Sequence, residues 1–201
     1  MFNQVAVDAA TRVTTVWPWY LTRASGIVAA VILALLMITG ITAFTGHQFK
    51  LMAPLKSWAN HRVLGISFAV AVAVHVGSLL FDKYITFNPS QILVPFLSPY
   101  KQVSVLGLPS GSIGVAMGVF ALYLGALVIV TSLTRIFTSM PQLWKSTHYL
   151  SYAIVTLIFI HSLMIGTDFK DGIWRFGWII LNIIVLGFIG LRLSRTGSLK
   201  E

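Results

Sequence analysis

The chain has 201 residues, no cysteine, and 14 Lys and Arg against 5 Asp and Glu, while 57% of its residues are hydrophobic. Soluble domains carry roughly 25% charged and about 45–50% apolar residues, so a soluble globular domain, a disordered chain and a disulfide-stapled module are all excluded. The composition fits an integral membrane protein of one domain, residues 1–201. It leaves no room for an attached soluble nucleotide-binding domain of about 100 residues or more. The missing cysteines remove c-type haem attachment, thiolate iron–sulfur clusters and disulfide relays. The net charge of +9 lies singly in short loops, a pattern that orients a membrane protein rather than binding nucleic acid.

Taken in chain order, the N-terminal segment carries Trp17, Trp19 and Tyr20, residues of a membrane-interface belt, and lacks the basic start and apolar core of a signal peptide. The uncharged run Ala24–Phe49 predicts a first span over 22–46. A second follows over 61–81. Tyr84–Tyr100 is uncharged but carries Asn88-Pro89, Pro95 and Pro99, and reads as an interfacial or re-entrant loop. Gly107, Pro109, Gly111 and Gly114 delay a third span to 112–136. A fourth covers 146–166. The fifth, 174–193, reaches bilayer thickness because Arg175 and Arg192 can snorkel. No repeat and no low-complexity segment is visible. A slight Lys and Arg excess on the face of the C-terminal tail predicts an outside N-terminus and a cytoplasmic C-terminus. The expected fold is an all-α membrane bundle of five transmembrane helices.

Four of the five histidines fall in two spans. His61 opens the second span and His75 lies fourteen residues on; His148 opens the fourth and His161 lies thirteen on. Both spans run from inside to outside. At about 1.5 Å rise per residue the members of each pair are about 20 Å apart along the membrane normal. His61 is therefore level with His148 on the inner side, and His75 with His161 on the outer. Two stacked bis-histidine haems between these two spans need this layout. Polar groups inside a membrane are expensive and usually functional, although a histidine can also simply bond across helices. A fourteen-residue step returns to within about 40° of one helix face, but thirteen residues land about 140° away. The fourth span must then kink or present its histidines to different sides. His47, at a helix end beside Gln48, reads as an interface residue. No carboxylate lies within any span, which counts against a proton pump or cation-coupled transporter.

Several stretches carry a family resemblance: LTRASG (Leu21–Gly26), HRVLGISFAVAVAVH (His61–His75), FDKYITF followed by ILVPFLSPY, and THYLSYAIVTLIFIH (Thr147–His161) followed by GTD. From about Leu21 to Leu193 the chain resembles the ferric reductase-like transmembrane domain family, which includes the membrane parts of NADPH oxidases and ferric reductases and stand-alone bacterial haem proteins. The resemblance implies a bacterial plasma-membrane protein with two non-covalent haems b. It pairs His61 with His148 and His75 with His161. It implies electron transfer from the cytoplasmic side outward. The oxidases' additional first helix and their flavin and NADPH domains are missing, so a separate cytoplasmic flavoprotein is the expected donor. The expected outer acceptor is a ferric chelate, dioxygen or a partner redox protein. An alternative is the haem-binding anchor of a dedicated two-component reductase, like the periplasmic methionine sulfoxide reductase system; His61 argues for two haems rather than the one expected there. A haem-free scaffold or transporter is the other alternative.

Haem propionates need basic partners at the membrane faces. Arg62 and Lys145 are the candidates for the inner haem. Arg23, Lys83, Tyr84 and Lys101 are candidates for the outer one. Trp144, Phe68, Phe81, Tyr149, Tyr152 and Phe159 are candidates for packing on porphyrin, and Gly65, Gly77, Gly114 and Gly125 for close approach.

Overall fold

Five apolar segments long enough to cross a bilayer organise the chain, and a span with no water to bond must satisfy its backbone internally as a helix. The structure is a computed structural model describing residues 2–45, 58–83, 85–100, 104–105, 108–109, 111–134, 140–169 and 171–197. Its helices are α1 (Phe2–Thr45), α2 (Trp58–Leu79), α3 (Pro89–Leu93), α4 (Gly111–Leu133), α5 (Pro141–His148), α6 (Leu150–Ile165) and α7 (Gly172–Gly197). The sole strand pairing among the described residues is a two-residue antiparallel ladder, β1 (Ser104–Val105) with β2 (Leu108–Pro109). The five membrane-crossing segments are Thr15–Ile41, Ala59–Leu79, Gly111–Leu133, Pro141–Ile165 and Gly172–Ser194. The expected all-helical bundle is therefore the observed one, and the protein is an integral membrane protein.

Three details differ from expectation or refine it. The aromatic N-terminal segment is helical: α1 runs through it for 44 residues with Pro18 inside. A proline removes one helical hydrogen bond and crowds the carbonyl four residues back. Here it does so in the first turn of the apolar stretch, beside Trp17 and Trp19. The fourth span is two helices, α5 and α6, interrupted at Tyr149. The Tyr149 N–H still donates to the Lys145 carbonyl at 3.0 Å, but the Tyr152 N–H reaches only three residues back, to the Tyr149 carbonyl, at 3.1 Å. That 3₁₀-type step changes the helix phase directly after His148.

The prolines of 84–100 produce the third detail. Asn88 caps α3: its side chain accepts from the Gln91 N–H at 2.9 Å, and Gln91 Oε1 accepts from the Asn88 N–H at 3.0 Å, a reciprocal capping box with Pro89 in the first turn. The segment then folds down along α4. The Tyr123 hydroxyl donates to the Leu93 carbonyl at 2.6 Å, and the Phe96 and Phe120 rings meet edge to face at 6.0 Å. Tyr123 lies twelve residues into α4, about 18 Å along its axis, so the segment packs on the side of α4 rather than only at its start. Its return leg brings Tyr100 against Gly111, where a Cβ has no space. Burial pushes the Tyr100 phenol up from its usual value, so it stays neutral.

The bundle is two helix pairs. α1 lies along α2, and α4 along α6 (with α5); contact between the two pairs is thin, and α7 rests chiefly on α1. The shared core is Leu33 and Met37 of α1, Phe68 of α2, Ala121 and Val128 of α4, Val155 of α6 and Val185 of α7. Val63, Val70, Ile180 and Ile183 point outward, as lipid-facing residues do. Hydroxyls inside the spans bond back to their own helices, as Thr39 does to Leu35 and Thr131 to Leu127, both at 2.7 Å. Among the described residues, no buried side-chain polar atom lacks a partner.

Candidate metal centre

The two helix pairs meet at the four intramembrane histidines. His61 of α2 faces His148 at the end of α5, with ring centroids 6.1 Å apart and planes at 53°. His75 of α2 faces His161 of α6 at 6.4 Å and 82°. With metal–imidazole bonds of about 2.0–2.1 Å, one ion held between two imidazoles sets their centroids roughly 6 Å apart. Both pairs stand at that separation. Among the described residues there is no cluster of three or more His, Cys, Asp or Glu side chains that could hold a bare ion. Two opposed imidazoles instead suit an ion whose remaining positions are filled by a planar macrocycle.

The His75–His161 pair is aimed by backbone. His75 Nδ1 lies 2.7 Å from the Thr22 carbonyl of α1, and His161 Nδ1 lies 2.8 Å from the Gly114 carbonyl of α4. A carbonyl only accepts, so each Nδ1 carries the proton and each Nε2 presents a lone pair. This is the tautomer a metal ligand needs, and the bond raises ligand basicity.

Each ring also leans on a small residue of the neighbouring helix. A Cβ at Gly26 would stand 2.9 Å from His75 Nδ1, one at Gly118 would stand 2.6 Å from His161 Nδ1, and one at Gly40 would stand 3.4 Å from His61 Cε1. Ser132 occupies the fourth such place, its hydroxyl 3.5 Å from His148 Nδ1, at the outer limit of a hydrogen bond. Trp144 stacks on the same ring at 5.2 Å and 26°. The pattern is regular. Gly26 and Gly40 are fourteen residues apart on α1, Gly118 and Ser132 fourteen apart on α4, and His61 and His75 fourteen apart on α2. The glycines expected to allow close approach are mostly elsewhere: Gly65, Gly77 and Gly125 face open space, and Gly114 alone meets a neighbour, Ile165. Sequence reasoning missed Gly26, Gly40, Gly118 and Ser132; their fourteen-residue spacing, matching that of the histidines, was the available signal.

Phe68, seven residues from both His61 and His75, is buried between the two levels. Arg62 and Lys145 are exposed at the end of the bundle that holds His61 and His148. Arg23, expected as a partner for an anionic group, instead forms a two-pronged ion pair with Asp168. Its Nε donates to Oδ2 at 2.8 Å, its terminal nitrogen donates to Oδ1, and the guanidinium sits 4.0 Å from the Trp19 ring centroid. Lys83 is exposed. His47, Tyr84 and Lys101 lie outside the described residues.

A five-span helical membrane protein with paired imidazoles at two depths is the class this geometry defines. The chain matches the model of the ferric reductase like transmembrane component over residues 25–160, well over half its length. It belongs to that family. The match encloses His61, His75 and His148 and ends one residue before His161. No curated protein and no solved structure matches the chain. Membership makes transmembrane electron transfer the coarse function, and domains of this family generally bind haem.

Proposed function

We propose that the chain, acting as a single domain over 1–201, is a di-haem b cytochrome that carries electrons from a cytoplasmic flavoprotein donor to an acceptor outside. His61 with His148 would hold the inner haem, and His75 with His161 the outer. When bound, the haems supply two one-electron centres, which divide the bilayer into shorter steps. Two facing imidazole pairs on the same two spans, each at the separation one metal ion requires, carry this reading.

The protein's own part is to aim, seat and insulate. The Thr22 and Gly114 carbonyls hold the outer Nδ1 protons and leave the Nε2 lone pairs inward. Gly26, Gly40 and Gly118 let the rings retreat far enough to admit a group between them. The apolar core around Phe68 keeps water from the space between the levels. Arg62 and Lys145 would meet the anionic propionates at the cytoplasmic end, in an orientation with the N-terminus outside. With two histidines holding each iron, an outer acceptor would be reduced without binding to the metal.

The test is haem content and reduced-minus-oxidised absorption of the purified protein, with each histidine replaced in turn. The wild type is expected to carry about two haems b per chain, low-spin and indifferent to carbon monoxide. His61→Ala or His148→Ala removes one, and His75→Ala or His161→Ala removes the other. Colourless protein made with ample haem would overturn the reading. One haem per chain, unaffected by His61→Ala, would reduce it to a single-haem anchor for a partner enzyme.

A further inference from the structure

The two helix pairs, α1–α2 and α4–α6, touch only thinly, yet each contributes one imidazole to the outer site. Something must set the gap between them there. Arg23 sits on α1, one residue after Thr22, whose carbonyl aims His75. Thr22 is itself tied to α2: its hydroxyl lies 2.6 Å from the Ser78 hydroxyl, and Ser78 donates to the His75 carbonyl at 2.9 Å. Asp168 sits in the 3₁₀ turn Thr167–Phe169, directly beyond the α6 that carries His161. That turn is anchored by Phe169, stacked on the Trp178 ring at 4.9 Å, and Trp178 in turn donates to Ser162, next to His161, at 2.7 Å. The Arg23–Asp168 bond therefore joins the shell of one outer ligand to the shell of the other.

We propose that Arg23 and Asp168 are positioning residues that clasp the two halves of the bundle at the outer end and set the spacing of the His75–His161 pair. A two-pronged guanidinium–carboxylate bond fixes direction as well as distance, which a single charge contact does not. Stacking on Trp19 limits the guanidinium further. The inner pair lies about 20 Å away along the helices and does not depend on this bond. The role of the clasp rests on the haem reading, but its geometry does not.

The absence of native cysteine allows spin labels to be placed at will. One pair, Leu80→Cys with Ile113→Cys, spans the two halves near the outer end. A second, Val63→Cys with Leu143→Cys, spans them near the inner end; all four sites are exposed. Asp168→Asn and Arg23→Gln are each expected to widen the outer distance distribution at least twofold and to leave the inner one unchanged. The exchanged pair Arg23→Asp with Asp168→Arg should narrow it again. An unchanged outer distribution, equal widening at both ends, or no recovery in the exchanged pair would overturn the clasp. In haem-loaded protein, the same single variants should shift one of two low-spin electron paramagnetic resonance signals and spare the other. Haem-free protein would remove the haem reading while the distance measurement still decides the clasp.

Discussion

A glycine decides whether an imidazole has anywhere to stand. The Cβ that alanine would place at position 118 falls 2.7 Å from His161 Cε1 and closer still to Nδ1, distances at which something must move. The backbone of α4 is packed along α6 and cannot yield easily, so the ring moves and its bond to the Gly114 carbonyl goes with it. Gly118→Ala is therefore expected to lower haem content from about two per chain towards one, read by the pyridine haemochrome. Gly125→Ala on the same helix, where a Cβ meets open space, should bind haem as the parent does. Equal loss in both would mean that helix packing, not the ligand seat, is what glycine serves. Residue-level reading of the sequence singled out the histidines because their chemistry is costly in hydrocarbon and stands out. It failed with their supports. Gly26 and Gly40 are hidden in an apolar run, and the partner of Arg23 lies 145 positions away.

Helices and loops show a different balance. Fixed rise per residue makes depth in the membrane readable from spacing alone, which is why His61 and His148, and His75 and His161, were expected at matched levels and are found facing one another. Azimuth is less readable. The thirteen-residue step demanded a kink or a second approach direction, and the structure has the interruption at Tyr149, with neither proline nor glycine there to announce it. The segment 85–100 was legible as non-spanning from its prolines, but its place along α4 comes from a tertiary bond between Tyr123 and Leu93, and a re-entrant course gives it depth in the membrane. That depth is measurable. A single cysteine at Leu93, in the otherwise cysteine-free chain, should resist a membrane-impermeant maleimide in intact vesicles at least tenfold more than one at Lys83. Equal labelling would return the segment to the interface.

The whole molecule is more regular than its sequence suggests. Chain order makes α1 and α4 run one way and α2 and α6 the other. The first pair sets Thr22, Gly26 and Gly40 behind His75 and His61. The second sets Gly114, Gly118 and Ser132 behind His161 and His148. The three backing positions of α4 each follow those of α1 by 92 residues, whereas the histidines follow by 87 and 86, because the second hairpin has the shorter connection. Side-chain identities along the two hairpins share little beyond these places, so no repeat is visible until the contacts are drawn. The departures from regularity are local: Ser132 and Trp144 around His148 make the level of His61 and His148 unlike that of His75 and His161.

This arrangement bears on ancestry. One short hairpin, with two glycines on its first helix and two histidines on its second, associating with a copy of itself about an axis along the membrane normal, would already possess both sites. The present chain has the organisation of such a pair joined head to tail, with α7 resting on α1. If that descent left the halves autonomous, residues 1–100 and 111–201 expressed as separate polypeptides should find one another in the membrane and recover the colour of the intact chain. Halves that insert stably but never pair would argue that the join between them is indispensable.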